Sequence, residues 1–486
     1  MPRSRIPITA LAWLALLPRS ALAQDAPLFR ADFPPEELQA RRAGIYDAIG
    51  TGAVALVQGA PAPAGYLRFR QTNELYYLCG VETPGAYLLL DGSSRQTRLY
   101  LPHRNAAREA SEGRLLSAED EAELRRLTGV EQVHGAELLS DHLARFAWGD
   151  QVRTVYLPLR PAEGVATSRD LAVRGASDLA NDPWDGRPTR EARFAEALRE
   201  RFPHFEVRDL SPALDQQRLV KSPREIELIR RATRLSGLAL MEAMRSTEPG
   251  LWEHELDGLS KFIFFRNGAQ AEAYYSLIAS GPNAWFPHYH RGARRLQADE
   301  LLLMDHAPDY GYYSSDVTRQ WPVDGRFDGW ERDLYGFYLA TYEAFLDAIR
   351  PGDAQEILRE VAGEWERIVA EWPFTRDHYR SAGEDFVGAF RQRIEAGRDS
   401  LGHGVGMAVH DVGVADGALS EGMVFTIEPQ FRVPEEQIYI RLEDVVLITK
   451  DGKEILSDFV PMQMDAIEAL MAEEGLLQRY PRAEWR

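Results

Sequence analysis

A chain of 486 residues is long enough for two or three domains rather than one. Its apolar fraction of 45%, with ten Trp and nineteen Tyr, excludes a disordered polymer and supplies large cores. A formal charge of −19, spread along the chain, repels phosphate backbones and excludes nucleic acid as a natural partner.

The N-terminus differs in kind from the rest. "MPRSR" is a basic region, "IPITALAWLALL" an apolar one, and "ALA" before Gln24 a small-x-small cleavage motif. The pattern predicts a signal peptide over residues 1–23, cleaved after Ala23, and hence a secreted or periplasmic product. Its apolar run is too short, and too closely followed by Pro18 and Arg19, to span a membrane. An uncleaved N-terminal anchor is the competing reading. Cleavage would remove three arginines and leave the mature chain more acidic. The single cysteine, Cys79, has no intramolecular disulfide partner, and its apolar context suits a buried small hydrophobe. No other segment approaches a transmembrane run, so no membrane contact is expected after cleavage.

Between residues 24 and 210, short apolar runs alternate with amphipathic ones. "GAVALVQ", "ELYYLCGV", "AYLLLD" and "RLYLP" read as strands, and "AEDEAELRRL" and "REARFAEALRERF" as helices, which argues for an α/β domain. The texture then becomes helical. Ser222 caps a helix that begins at Pro223, and a domain boundary is expected near residues 208–220. In the second domain, residues 211–486, the helices "ERDLYGFYLATYEAFLDAI" and "AQEILREVAGEWERIVAEW" precede the strands "GMVFTIEP" and "YIRLEDVVLI". That order suggests α+β.

The stretch "LLLMDHAPDYGYYSSDVTRQWPV" reads as a hairpin around "DYGY", residues 309–312, which would set Asp305 directly opposite Asp316. Two carboxylates so placed, beside Leu303, Met304 and Val317, are tolerable only if a cation or a proton neutralises them. Glu428 ends the apolar strand "MVFTIEP", and Glu443 lies inside "YIRLEDVVLI", with Arg441 two residues earlier on the same face. Each acid alone reads as a salt-bridged core residue. The four together, beside His403 in "LGHGVGMAVHD", suggest four carboxylates and one imidazole around two divalent cations. Gly402, Gly404 and Gly406 would allow close approach to a metal or substrate. Such oxygen-rich ligation favours Mn²⁺ or Co²⁺, with Zn²⁺ as a further candidate.

The motifs "MDHAPDYGYYSSDVTRQWPV", "LGHGVGMAVHD", "GMVFTIEP" and "YIRLEDVVLIT" resemble the pita-bread metallopeptidases, the family of aminopeptidase P and prolidase. "LRFRQTNELYYLCGVETPGAYLLL" resembles the N-terminal creatinase-like domain typical of aminopeptidase P, and "SGPNAWFPHYH" the family's substrate-side histidine segment. The resemblance covers nearly the whole mature chain. It implies two domains: an N-terminal α/β creatinase-like domain over residues 24–210 and a C-terminal α+β pita-bread domain over 211–486. It also implies five metal ligands. Asp316 and Glu443 bridge the two ions, Asp305 serves one, and His403 and Glu428 serve the other. His288 and His410 become substrate-side catalytic and binding residues, and Arg441 a supporting arginine at the substrate site. Three positions depart from the family pattern: His306 follows the first ligand where a small residue is usual, and Gln430 and Tyr439 replace glycines. These departures bear on substrate range, with His306 the first place to look.

The function implied is hydrolysis of the N-terminal Xaa-Pro bond of peptides. Glu428 would move a proton from the attacking water to the leaving proline nitrogen, while His410 and His288 steady the carbonyl side. Trp285, Phe286 and Tyr289 are candidates for a proline pocket or for ordinary packing. The alternatives are a prolidase acting on Xaa-Pro dipeptides, with "RGARR" (residues 291–295) as a carboxylate site or a solvated turn, and a non-catalytic pita-bread peptide binder. The partners expected are peptides with proline in second position and further copies of the chain, as a homodimer or homotetramer.

Overall fold

The computed structural model describes residues 31–148, 152–413, 415–480 and 482; the predicted signal peptide lies outside the described residues. In the N-terminal half the apolar runs assemble into one six-stranded sheet. Ala53–Gln58 lies inside it, antiparallel to Tyr87–Asp91 and parallel to Thr154–Leu157. Gln96–Leu101 and Gln132–Gly135 extend one side, and Glu206–Asp209 the other. Consecutive residues Val54, Ala55, Leu56 and Val57 are all buried, as expected of a strand covered on both faces.

"ELYYLCGV" is not a strand. Asn73–Cys79 is a helix, capped by the Thr72 hydroxyl, which accepts from the Leu75 N–H, and closed by Gly80 at a left-handed φ of 66°. A short apolar run does not decide between strand and helix; its caps do. Cys79 ends this helix, buried and free.

Beyond Asp209 the helix Pro223–Ser246 opens on a reciprocal cap between Ser222 and Glu225. Two antiparallel three-stranded sheets follow. One has Leu301–His306 between Leu277–Ser280 and Val317–Pro322. The other has Asp444–Thr449 between Val424–Ile427 and Gly452–Ile455. Backbone bonds of 3.1 and 3.3 Å between Thr318 and Glu443 join the two sheets. The predicted strand "YIRLEDVVLI" is broken there. Ile438–Ile440 pairs with Phe431–Val433, and Arg441, Leu442 and Glu443 lie between the two pieces.

The hairpin forms, but its tip is one residue further on than expected. Tyr310 bridges to Tyr313, with Gly311 and Tyr312 between them at φ of 64° and 70°. A two-residue tip of this kind needs positive φ at both positions. Gly311 adopts it freely. Tyr312 is held there by its ring, stacked on Tyr76 at 3.6 Å, and by its hydroxyl, which accepts from the Gln71 N–H and donates to Glu82. Asp305 therefore faces Thr318 rather than Asp316, and Asp316 precedes the strand at the diagonal position.

The two halves share one hydrophobic core that includes Phe33, Leu75, Tyr313, Trp321 and Trp365. Polar contacts reinforce it. Arg70 donates to Asp309 at 2.8 Å and to the Met407 carbonyl at 3.2 Å, and buried Arg218 bonds Asp411 and Glu163. Among the described residues no helix is long and apolar enough to cross a membrane.

Two of the glycines around His403 make room for neighbouring backbone. A Cβ on Gly402 would lie 1.7 Å from the Thr426 carbonyl oxygen, and one on Gly404 would lie 2.5 Å from that of Val412. Gly402→Ala is accordingly expected to lower the chemical-denaturation midpoint, by an amount equivalent to about 1–3 kcal/mol of overpacking. An unchanged midpoint would show that this contact relaxes freely.

Candidate metal centre

Four chain segments bring the predicted ligands together. Asp305 comes from the central strand of the first sheet and Asp316 from just before its partner strand. Glu428 follows Val424–Ile427, and Glu443 sits at the seam between the sheets. His403 comes from the glycine-rich loop, whose Thr426 N–H to His403 carbonyl bond of 2.9 Å ties it to the second sheet. Ligating atoms of Asp305, Asp316 and Glu443 lie within 4.8 Å of one another, as do those of His403, Glu428 and Glu443.

The residues fit a metal on their geometry. His403 Nδ1 faces the Gly404 carbonyl at 3.3 Å, which turns Nε2 toward the carboxylates. That Nε2 is buried and makes no hydrogen bond among the described residues. Yet oxygens of Glu428, Asp316 and Glu443 stand 3.5, 3.6 and 3.8 Å away. Those spacings are too long for hydrogen bonds and suit atoms sharing an ion through bonds of about 2.0–2.2 Å. Glu443 Oε1 is likewise buried without a partner.

The electrostatics agree. Burial, reinforced by the charge of Asp305, raises the Asp316 pKa well above the carboxylate range. Burial and the charge of Asp316 do the same to Glu443. Burial alone would lower His403, but Glu428 and Asp316 outweigh it and raise its pKa to about 9. Burial would raise Glu428, yet His403 and Arg441 hold it at about 2. The Tyr274 hydroxyl lies 2.5 Å from Asp305 and 2.6 Å from Asp316. It has one proton to donate, so one of those contacts needs a proton on the carboxyl group or a cation beside it.

Each ligand has an orienting partner, the arrangement that holds metal ligands at fixed angles. Arg441, buried and between the strand pieces, bonds Asp305 and reaches Glu428 at 2.9 Å. The Thr318 hydroxyl donates to Glu443 at 2.8 Å. Tyr274 carried no signal in the sequence beyond an apolar-flanked tyrosine.

The substrate-side residues are placed unequally. The His410 ring stands 4.1 Å from that of His403, centroid to centroid, and its Nδ1 donates to Asp170 at 2.9 Å. Burial and the neighbouring His403 lower its pKa. Asp170 belongs to the N-terminal half, 240 residues away in sequence, and no sequence pattern pointed to it. His288 lies exposed on the loop after Trp285 and makes no part of the close ligand groups. Phe286 is also exposed, while Tyr289 donates to Glu253 at 3.1 Å.

His306 points the other way. It is buried on the far side of its strand from Asp305, edge-on to Phe264, with Nε2 on the Ser236 carbonyl at 3.1 Å and burial lowering its pKa to about 4. It is a neutral core histidine and does not reach the site, because side chains alternate along a strand. In "RGARR", Arg294 is bonded to Glu300 and Arg295 stacks on Trp252.

The family described as "Metallopeptidase family M24" matches residues 227–450, and "Aminopeptidase P, N-terminal domain" matches residues 38–156. The Xaa-Pro aminopeptidase of Escherichia coli (strain K12) is 30% identical over 458 residues, covering 90% of this chain and 97% of that protein. The Xaa-Pro dipeptidase of Pyrococcus horikoshii is 30% identical over 268 residues, covering 54% of this chain and 70% of that one. Among solved structures, aminopeptidase P from E. coli with the inhibitor Pro-Leu matches with a TM-score of 0.71 at 27% identity, covering 90% of this chain and 98% of that one. An aminopeptidase P N-terminal domain followed by an M24 domain is the two-domain pita-bread plan, and the chain belongs to that family as a metallo-aminopeptidase of the aminopeptidase P and prolidase group.

Proposed function

We propose that this enzyme hydrolyses the bond between an N-terminal residue and a proline in second position, at a centre of two divalent ions. The observation that carries the reading is the unpartnered His403 Nε2 ringed by Asp316, Glu428 and Glu443, with Asp305 behind them. The proline preference is supported by the E. coli Xaa-Pro aminopeptidase, similar along nearly the full chain. The match at the N-terminal domain favours an aminopeptidase over a dipeptidase. Manganese is the ion we assign on the oxygen-rich donor set, with cobalt and zinc as alternatives.

An amide before proline has no N–H and exists in both cis and trans forms, so it needs a dedicated site. Asp305, Asp316, His403, Glu428 and Glu443 would hold the divalent ions, whose chemistry would be to acidify a water and polarise the carbonyl. Glu428 would accept a proton from the attacking water and deliver it to the proline nitrogen, which leaves as a secondary amine. His410, its ring fixed by the Nδ1 bond to Asp170, stands on the carbonyl side and donates from Nε2 only when protonated, a state the Asp170 carboxylate favours. Arg441 fixes the angles of Asp305 and Glu428. The role of His288 on the substrate side rests on the family resemblance of its segment alone. The N-terminal 23 residues support export, and we assign the enzyme to the secreted or periplasmic space as a homodimer or homotetramer.

Purified enzyme supplied with Mn²⁺ is expected to cleave Arg-Pro-Pro and to act poorly on Gly-Pro. Cleavage of the dipeptide alone would make it a prolidase, and cleavage of neither would end the reading. Glu428→Ala should remain folded by circular dichroism and lose at least about 10²–10⁴-fold in kcat; full activity would remove Glu428 from proton transfer. Asp316 and Glu443 have raised pKa values in the metal-free fold and hold protons below them, so metal must displace protons to bind. Titrating metal-stripped enzyme with Mn²⁺ at mildly acidic pH should therefore release protons and bind two equivalents, with affinity rising as pH rises. Fewer than one equivalent, or no proton release, would sink the dinuclear centre.

A further inference from the structure

Arg432 stands four residues beyond Glu428, in the strand Phe431–Val433 and directly opposite Tyr439. Its guanidinium carbon lies 4.9 Å from the Trp285 ring centroid and 4.7 Å from that of Tyr439. One nitrogen donates to the Trp285 carbonyl at 3.3 Å, which is its only hydrogen bond among the described residues. Two rings and a backbone bond thus hold a planar cation in one orientation.

Arg432 lines a hollow of about 550 Å³ together with Glu428, Gln430, Arg393, Asp385 and Asp399. Other arginines here have counter-charges: Arg393 on the same hollow pairs with Asp399 at 3.3 Å, and Arg441 with Glu428 at 2.9 Å. No carboxylate among the described residues pairs with Arg432. Aromatic faces hold a cation without neutralising it, and a half-buried charge is stabilised by a counter-ion. A fixed, planar fork with free donors matches a carboxylate in bidentate geometry. The two departures from the family pattern that line this region gain a reason. Tyr439 provides one of the two rings, and Gln430 lies on the same wall.

We propose that Arg432 is a specificity-determining residue that receives a carboxylate of the peptide substrate in the hollow beside Glu428. The claim rests on the Xaa-Pro peptidase reading above. Two carboxylates would meet the same chemistry: an acidic first side chain, or the C-terminus of a very short peptide. The "RGARR" turn is a poorer candidate for either, because Arg294 is already bonded to Glu300.

The test compares kcat/KM ratios, which cancel the amount of folded enzyme. One pair is Glu-Pro-Leu-amide against Gln-Pro-Leu-amide; the other is Gln-Pro-Leu with a free C-terminus against its amide. Wild-type enzyme should favour the carboxylate member of one pair, and that pair names the source. Arg432→Gln should lower that ratio about ten- to a hundredfold, the range of a charge-assisted hydrogen bond. Arg432→Glu should reverse the first-residue preference toward Lys-Pro-Leu-amide if the side chain is the source. Ratios within twofold of wild type in both pairs, for both variants, would overturn the proposal while leaving the peptidase reading intact. Failure of wild-type enzyme on all these peptides would instead overturn the peptidase reading and this proposal with it.

Discussion

Four carboxylates converging on one buried point are a liability that the rest of the catalytic half is arranged to contain. Two unit charges about 4 Å apart repel by roughly 4 kcal/mol at an effective dielectric of about 20. Arg441, bonded to Asp305 and Glu428, offsets only part of that, and the rest falls on Asp316 and Glu443. The surroundings therefore stay rigid without neutralising the cluster. The Thr318–Glu443 bridge locks one sheet to the other, Tyr274 spans two acids with one hydroxyl, and Gly402 lets the His403 loop press on the Thr426 carbonyl. This is preorganisation for cations: the ligands hold their positions through contacts outside the ion, so binding does not have to order them.

The ligands were legible because each broke a local rule. A carboxylate in the middle of an apolar strand is expensive, so Asp305 and Glu443 stood out against Leu303 and Val445 without any three-dimensional information. The glycines around His403 were visible as well, but not that Gly402 and Gly404 clear space for carbonyl oxygens, since no composition rule says which neighbour will approach. The hairpin register slipped because a tyrosine at positive φ is rare, and what holds Tyr312 there is a stack on Tyr76 and a hydroxyl bond to Glu82, more than two hundred residues away. "ELYYLCGV" was misread because burial on all sides erases periodicity and leaves only the caps to speak. His306 looked like a specificity residue by position and turned out to face the core by strand alternation. Asp170 and Arg432 were illegible in principle, since their meaning lies in partners supplied by distant segments.

The distribution of these partners separates reactivity from selectivity. The candidate metal ligands all come from the catalytic half, from strands, strand ends and the His403 loop. The residues around them do not. Asp170 enters from the N-terminal half, and Trp285 and Tyr439 come from two different loops and strands to frame Arg432. Within that outer ring Asp170 bears on the catalytic side through His410, whereas Arg432 and its two rings touch none of the candidate ligands by a hydrogen bond.

The bond between Asp170 and His410 also joins the site to the fold as a whole. The catalytic half contains every candidate metal ligand, but the carboxylate that fixes the His410 Nδ1 proton, and the Thr167 carbonyl that holds the Val409 N–H beside it, come from the N-terminal half. The two halves also share one hydrophobic core, so the placement of His410 and the packing of the halves are a single property of the fold.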